Sequence, residues 1–232
     1  MRKTISRILS SAIALCLLSA STIAEGTYEP YGVVLPGGVS IHGSEVLSGS
    51  YEYDNNEDLI LLVTPSAQTS LLTAEVYNSA TVWNNISSHV RVHIYFDAMP
   101  SKLPFKRTNP TQVVGEKLDY LVYGQTTGYN ETGDVSPNSD WLYSRIEMNT
   151  NPLFYKASDK TIAAKMTFIH EVGHALKLDH PKSNSSLQGH TYNGYPYAVM
   201  NQGIPKSVGG ESQVAASPTW HDIECLEYKW GK

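Results

Sequence analysis

Apolar and polar residues alternate most clearly in VRVHIYF, where Val90, Val92, Ile94 and Phe96 share one face and Arg91, His93 and Tyr95 the other. A period of two is that of a half-buried strand. DLILLV (58–63), KLDYLVYG (117–124) and LYSRIEMN (142–149) also read as strands, and the Gly, Asn, Thr, Ser and Asp residues between Gly124 and Asp140 read as a loop. From Ser70 the period changes: Leu72, Val76, Ala80 and Trp83 recur at helical spacing. A second helix is expected after Ser158 as N-cap and Asp159 in the first turn, with an apolar stripe of Ile162, Met166, Ile169, Val172 and Leu176. Thr219-Trp220-His221-Asp222 has the form of a capping box that opens a last helix burying Ile223, Leu226 and Trp230. Strands first with helices interleaved imply an α/β or α+β domain.

The ends of the chain alter this picture. Arg2, Lys3 and Arg7 precede an apolar run, Ile8 to Leu18, and Thr22-Ile23-Ala24 supplies small residues. Residues 1–24 therefore read as a signal peptide, and its apolar run is shorter than the ~20 residues of a membrane span. The expected product is secreted and extracellular, with no membrane association once the signal is removed. Residues 25–66 are either a short propeptide or the first strands of the domain that fills 67–232. The whole chain has 17 basic against 22 acidic residues, and the signal segment takes three basic residues with it. An acidic remainder argues against a nucleic-acid partner. Cys16 leaves with the signal, so Cys225 has no intrachain partner and reads as a buried thiol. A monomer is expected.

Three of the eight histidines fall within FIHEVGHALKLDH. His170 and His174, four apart in a helix, stand one turn above the other on one face and can share a metal. Neutral imidazole suits Zn²⁺. Glu171 lies to the side of that pair, where a carboxylate can take a proton from a water polarised by the metal. His180 lies past the end of the helix and reaches the same ion only if the chain turns sharply after Leu176. Three histidines leave a fourth position open, as a catalytic site requires.

These residues resemble the metzincin metallopeptidases, whose signature is HExxHxxGxxH with a methionine turn downstream. HEVGHALKLDH matches at His170, Glu171, His174 and His180, and PYAVM (196–200) resembles the Pro-x-Ala-x-Met turn of the matrixin branch. DIECLEYKWG (222–231) is similar to the helix that closes a matrixin catalytic domain. Astacins and serralysins, in the same clan, place a tyrosine two residues after the methionine; here that residue is Gln202. The resemblance, over roughly residues 70–231, implies an α+β domain with a twisted mixed sheet, an active-site helix and a smaller C-terminal part ending in a helix. It further implies a zinc endopeptidase acting on peptide or protein substrates, with His170, His174 and His180 on zinc, Glu171 as general base and Met200 beneath the metal. Structural calcium is common in such folds, and GYNETGDVSPNSD offers Asp134 and Asp140. SRIEMN is the expected sheet edge for an extended peptide.

Lys177 stands where the signature has glycine. A left-handed conformation there strains a non-glycine residue by about 1–2 kcal/mol, small beside the ~10–16 kcal/mol of tetrahedral structural zinc. Were the loop to take another path, Asp179 would replace His180. Two alternatives stay open: a glutamate-ligand site, with Glu211 or Glu224 third, and a non-enzymatic binding protein on a zinc-supported scaffold.

Overall fold

The computed structural model describes residues 46–48, 57–99, 110–119, 122–151, 160–181, 191–192, 195–196, 198–201 and 217–231. All lie in the unit Gly32–Lys232, and Met1–Tyr31 falls outside the described residues. The DLILLV run lies in β1 (Glu57–Val63), which has parallel neighbours on both sides: β2 (Val90–Phe96) and β3 (Thr111–Glu116). Leu59, Ile60, Leu61 and Val63 are all buried, the near-continuous apolar run expected of a central parallel strand. β3 pairs in turn with β6 (Tyr143–Asn149), again parallel, and β4 (Gly124–Asn130) runs antiparallel to β6. A short β5 (Gly133–Val135) closes a hairpin with β4, so the six-stranded order is β2-β1-β3-β6-β4-β5. A separate pair, β7 (Thr191–Tyr192) and β8 (Tyr195–Pro196), precedes the C-terminal part.

The helices are α1 (Ala74–Asn78), α2 (Lys160–Ala175) and α3 (Trp220–Trp230). The mixed sheet and closing helix match the expected α+β class. Three elements differ from the sequence reading. The helix from Ser70 is shorter, because it tightens into a 3-10 stretch at Ser79–Trp83. There the Ser79 hydroxyl donates to Val76 O at 2.5 Å and Thr81 to Asn78 O at 2.8 Å. Such back-bonding competes with the helical ladder. KLDYLVYG is not a strand of its own: among its described residues only the last, Gly124, is in a strand, as the first residue of β4, and β3 ends just before it at Glu116. The expected loop after Gly124 begins with the β4–β5 hairpin, whose turn is stabilised by Asn130 Oδ1 accepting Thr132 N at 2.8 Å, with Gly133 at φ 136°.

The layer between sheet and α2 is fastened by aromatic groups with polar ends. Tyr77, buried, donates its hydroxyl to Ala67 O at 2.6 Å and meets Phe168 of α2 edge-on at 4.9 Å. Trp83 donates Nε1 to Ile169 O at 3.0 Å. Of the expected α2 stripe, Met166, Ile169, Val172 and Leu176 are buried and Ile162 is 36% exposed; the buried face is broader, taking in Ala163, Ala164, Phe168 and Ala175 as well. The N-cap assigned to Ser158 lies outside the described residues.

Gly128 of β4 admits the Trp141 indole directly onto the strand: a Cβ there would lie 2.1–2.4 Å from ring atoms. Gly128→Ala is expected to lower unfolding stability by about 1–3 kcal/mol, since the ring must move or leave its packed position. Denaturant unfolding of the variant checks this; an unchanged midpoint would contradict the packing.

Candidate metal centre

Helix α2 presents His170, Glu171 and His174 in one turn. It ends at Ala175, and the chain reverses through Lys177, whose φ of 68° is left-handed. Lys177 N donates to His174 O at 2.9 Å and Leu178 N to Gly173 O at 3.0 Å. That pair is the Schellman arrangement, with lysine in the position glycine usually takes. The turn returns His180 to the helix, and its Nε2 lies 3.2 Å from Nε2 of both His174 and His170. Tetrahedral zinc–nitrogen bonds of about 2.0–2.1 Å require nitrogens about 3.3–3.4 Å apart, so the three imidazoles fit a zinc-sized ion. Among the described residues they are the group of His, Cys, Asp and Glu side chains able to hold a metal.

Each helical ring is oriented from behind. His170 Nδ1 donates to Val199 O at 2.8 Å and His174 Nδ1 to Leu178 O at 2.9 Å, leaving Nε2 bare in both. Such carbonyl partners fix the tautomer a metal ligand needs. Burial holds His170 well below the ordinary imidazole value and lowers His174 to about 4; repulsion by neighbouring imidazoles adds to both, while the backbone carbonyls oppose it. His180 is lowered too, again by burial, with Asp179 opposing. All three are neutral near pH 7, the form that binds metal.

Glu171 is 5% exposed and belongs to no ligand group. Burial pushes its carboxyl up to about 7, opposed by a hydrogen bond from Thr126 Oγ1 of β4 to Oε2 at 2.8 Å. Gly124 of β4 leaves room beside it: a Cβ there would lie 2.9 Å from Glu171 Cγ. Neither Thr126 nor Gly124 had a signal in the sequence, because both reach Glu171 only through the sheet.

The turn at Ala198–Asn201, closed by Asn201 N donating to Ala198 O at 3.2 Å, lies against the same helix. Met200 is 2% exposed, and a Cβ on Gly173 would sit 2.2 Å from its sulfur. Gly173, which lies between His170 and His174 in the chain, thus makes the space for the thioether. The Thr219–Asp222 capping box forms as expected. Its Asp222 does more than the sequence suggested: Oδ2 accepts Val199 N at 2.8 Å and Oδ1 accepts Met200 N at 3.1 Å. One chain of bonds thus runs from α3 through Val199 to His170. Burial raises the Asp222 carboxyl, against hydrogen bonds from Thr219, Val199 and Met200. Asp222→Asn is expected to destabilise the protein by about 1–3 kcal/mol, because an amide NH₂ would face backbone donors. A thermal melt and a zinc titration of the variant check it, and an unaltered melting temperature would count against it.

Asp134 and Asp140 are exposed and join no ligand cluster, and the Pro137 and Ser139 carbonyls accept from Lys177 Nζ at 3.3 and 2.9 Å. Asp179 accepts its neighbour's backbone, His180 N, at 2.8 Å and stands outside the histidine group. Glu224, on α3, is also outside it, and Glu211 lies outside the described residues. SRIEMN, expected at the sheet edge, is interior: β6 has β3 on one side and β4 on the other. Cys225 is buried and forms no disulfide among the described residues. No helix among the described residues is long and apolar enough to cross a membrane.

The chain matches no protein-family model. Over 120 residues, half of its length, it is 27% identical to Serralysin A of Dickeya chrysanthemi. The chain spans about a quarter of that protein, 24%. The similarity is a weak one, to a serralysin, a metzincin.

Proposed function

We propose that this protein is a secreted zinc endopeptidase of matrixin-like form, with residues 1–24 as a removable signal peptide. The observation that carries the reading is the meeting of three imidazole Nε2 atoms beside a buried carboxylate that is not one of the ligands. His170, His174 and His180 would hold the zinc. When bound, zinc supplies Lewis acidity that polarises a carbonyl and brings the pKa of a water from 15.7 to about 7.

The chain's own groups do the rest. Thr126 holds Oε2 of Glu171, leaving Oε1 to take the proton from the attacking water and pass it to the nitrogen of the leaving amine. The carbonyl carbon gains the hydroxyl as the C–N bond breaks, so one carboxylate serves as base and then as acid. An extended peptide would lie along β4. Its Gly124–Thr127 half has β6 on one side, and β5 covers only Gly128–Asn130 on the other. Main-chain bonds to that edge would bring the scissile bond beside Glu171. Met200 would form the floor of the metal site.

Incubating the purified protein with a peptide library, with and without a chelator, tests the reading by mass spectrometry. Cleavage that stops on zinc removal and returns on readdition is the expected result, with the same spectra giving an N-terminus near Glu25 or further along. Stoichiometric zinc without any cleavage would favour a zinc-supported binding protein instead.

A further inference from the structure

Lys177 has a place in the fold that the motif does not assign to it. Its side chain is wholly buried, 0% exposed, a state lysine rarely takes without partners. Nζ donates to Ser139 O at 2.9 Å and Pro137 O at 3.3 Å and sits 3.4 Å from the centroid of the Trp141 ring. Two carbonyls and an aromatic face are a cation's environment. Burial pushes the amine down to about 7, with Lys229 acting in the same direction and Asp140 against it; the carbonyls and the indole face favour the charged form.

The backbone of the same residue is held from the opposite side. Leu47 N donates to Lys177 O at 2.8 Å, and Val46 and Leu178 form an antiparallel bridge. The strap at 46–48 is tied in turn to the loop that the ammonium gathers, since Ser48 N donates to Asn138 Oδ1 at 3.0 Å. It is also tied to α3, where Lys229 Nζ donates to Leu47 O at 2.7 Å. Strap, loop 136–141 and C-terminal helix thus meet at the residue between His174 and His180. Leu178, next along, supplies the carbonyl that orients His174.

We propose that the Lys177 ammonium is a built-in cation that gathers the 136–141 loop, in place of a bound divalent ion, and so positions the turn that carries His180. A calcium ion needs six to eight oxygen ligands at about 2.3–2.6 Å, and the loop's two inward carbonyls already bond to the ammonium. This proposal rests on the histidine site read above as a zinc site, and it makes Lys177 a positioning residue with no contact to substrate.

The test compares wild type with Lys177→Gly and Lys177→Met. Glycine relieves the left-handed backbone, so a merely tolerated lysine predicts tighter zinc binding by the glycine variant. The proposal predicts the reverse: both variants lose zinc affinity about ten- to a hundredfold, read by competition with a chromophoric chelator. Co²⁺-loaded variants should show altered visible absorption, and helical circular dichroism should be retained. Equal or tighter zinc binding by Lys177→Gly would overturn it. A second arm needs no variant: at a fixed zinc loading and with no chelator, the wild-type unfolding midpoint should be the same with and without millimolar Ca²⁺, and a rise with Ca²⁺ would overturn the replacement. Neither arm uses peptidase activity. A wild type that binds zinc but cleaves nothing removes the enzymatic reading and leaves this one intact. If wild type binds no zinc, the calcium arm and the variants' unfolding midpoints still decide whether the ammonium holds the loop.

Discussion

Replacing Glu171 by alanine is expected to abolish peptide hydrolysis while the protein keeps its zinc. The two effects separate because the carboxylate lies beside the histidine group and does not belong to it. General acid–base catalysis by a positioned group contributes about 10²–10⁴ in rate, so kcat should fall by at least that range, about 2.7–5.4 kcal/mol of barrier. The variant's fold should hold, since Thr126 loses one partner and keeps Glu171 O at 3.0 Å. Kinetics on a peptide substrate and zinc content of the same sample give both answers. Full turnover in this variant would remove Glu171 from the mechanism; loss of zinc with turnover would instead make it a ligand.

The second large effect is expected at His180. A structural tetrahedral zinc site releases ~10–16 kcal/mol in all, so one ligand of such a set represents roughly 3–4 kcal/mol. Removing it should weaken zinc binding on the order of 10²–10³-fold. His180→Ala should therefore emerge from dialysis against a mild chelator with little metal, where wild type retains it. Asp179 is a poor substitute, because its carboxylate is engaged by the His180 backbone N–H at 2.8 Å. Unchanged zinc content would give the third position to another side chain, Glu211 or Glu224 being the ones the sequence offers.

Much of the architecture was legible wherever side-chain pattern and backbone conformation have the same cause. DLILLV, VRVHIYF and LYSRIEMN became strands because buried sheet positions select β-branched and aliphatic residues, and the α2 histidines were placed by helical period alone. β3, β4 and β5 were not legible. TQVVGE, GQTTGYN and GDV carry little apolar alternation, and their strand character comes from the main-chain bonds their neighbours offer. The supposed edge at SRIEMN was misplaced for the same reason: with β4 unrecognised, β6 was left outermost.

By itself, the sequence determined which residues can bind a metal and which can move a proton, because imidazole and carboxylate chemistry belong to the side chains and the i, i+4 spacing belongs to the helix. It also marked Lys177 as the departure from the motif, with the backbone conformation it would have to take. Only the tertiary structure decided that His180 returns to the helical pair, that Thr126 and Gly124 border Glu171, and that Asp222 ties the turn at Val199 and Met200 to His170. Those contacts join segments 23 to 47 residues apart in the chain, apart from the six-residue return to His180. The Lys177 ammonium finds its carbonyls 38 and 40 residues away. Local preference has no reach over such separations; packing and backbone hydrogen bonds settle them together.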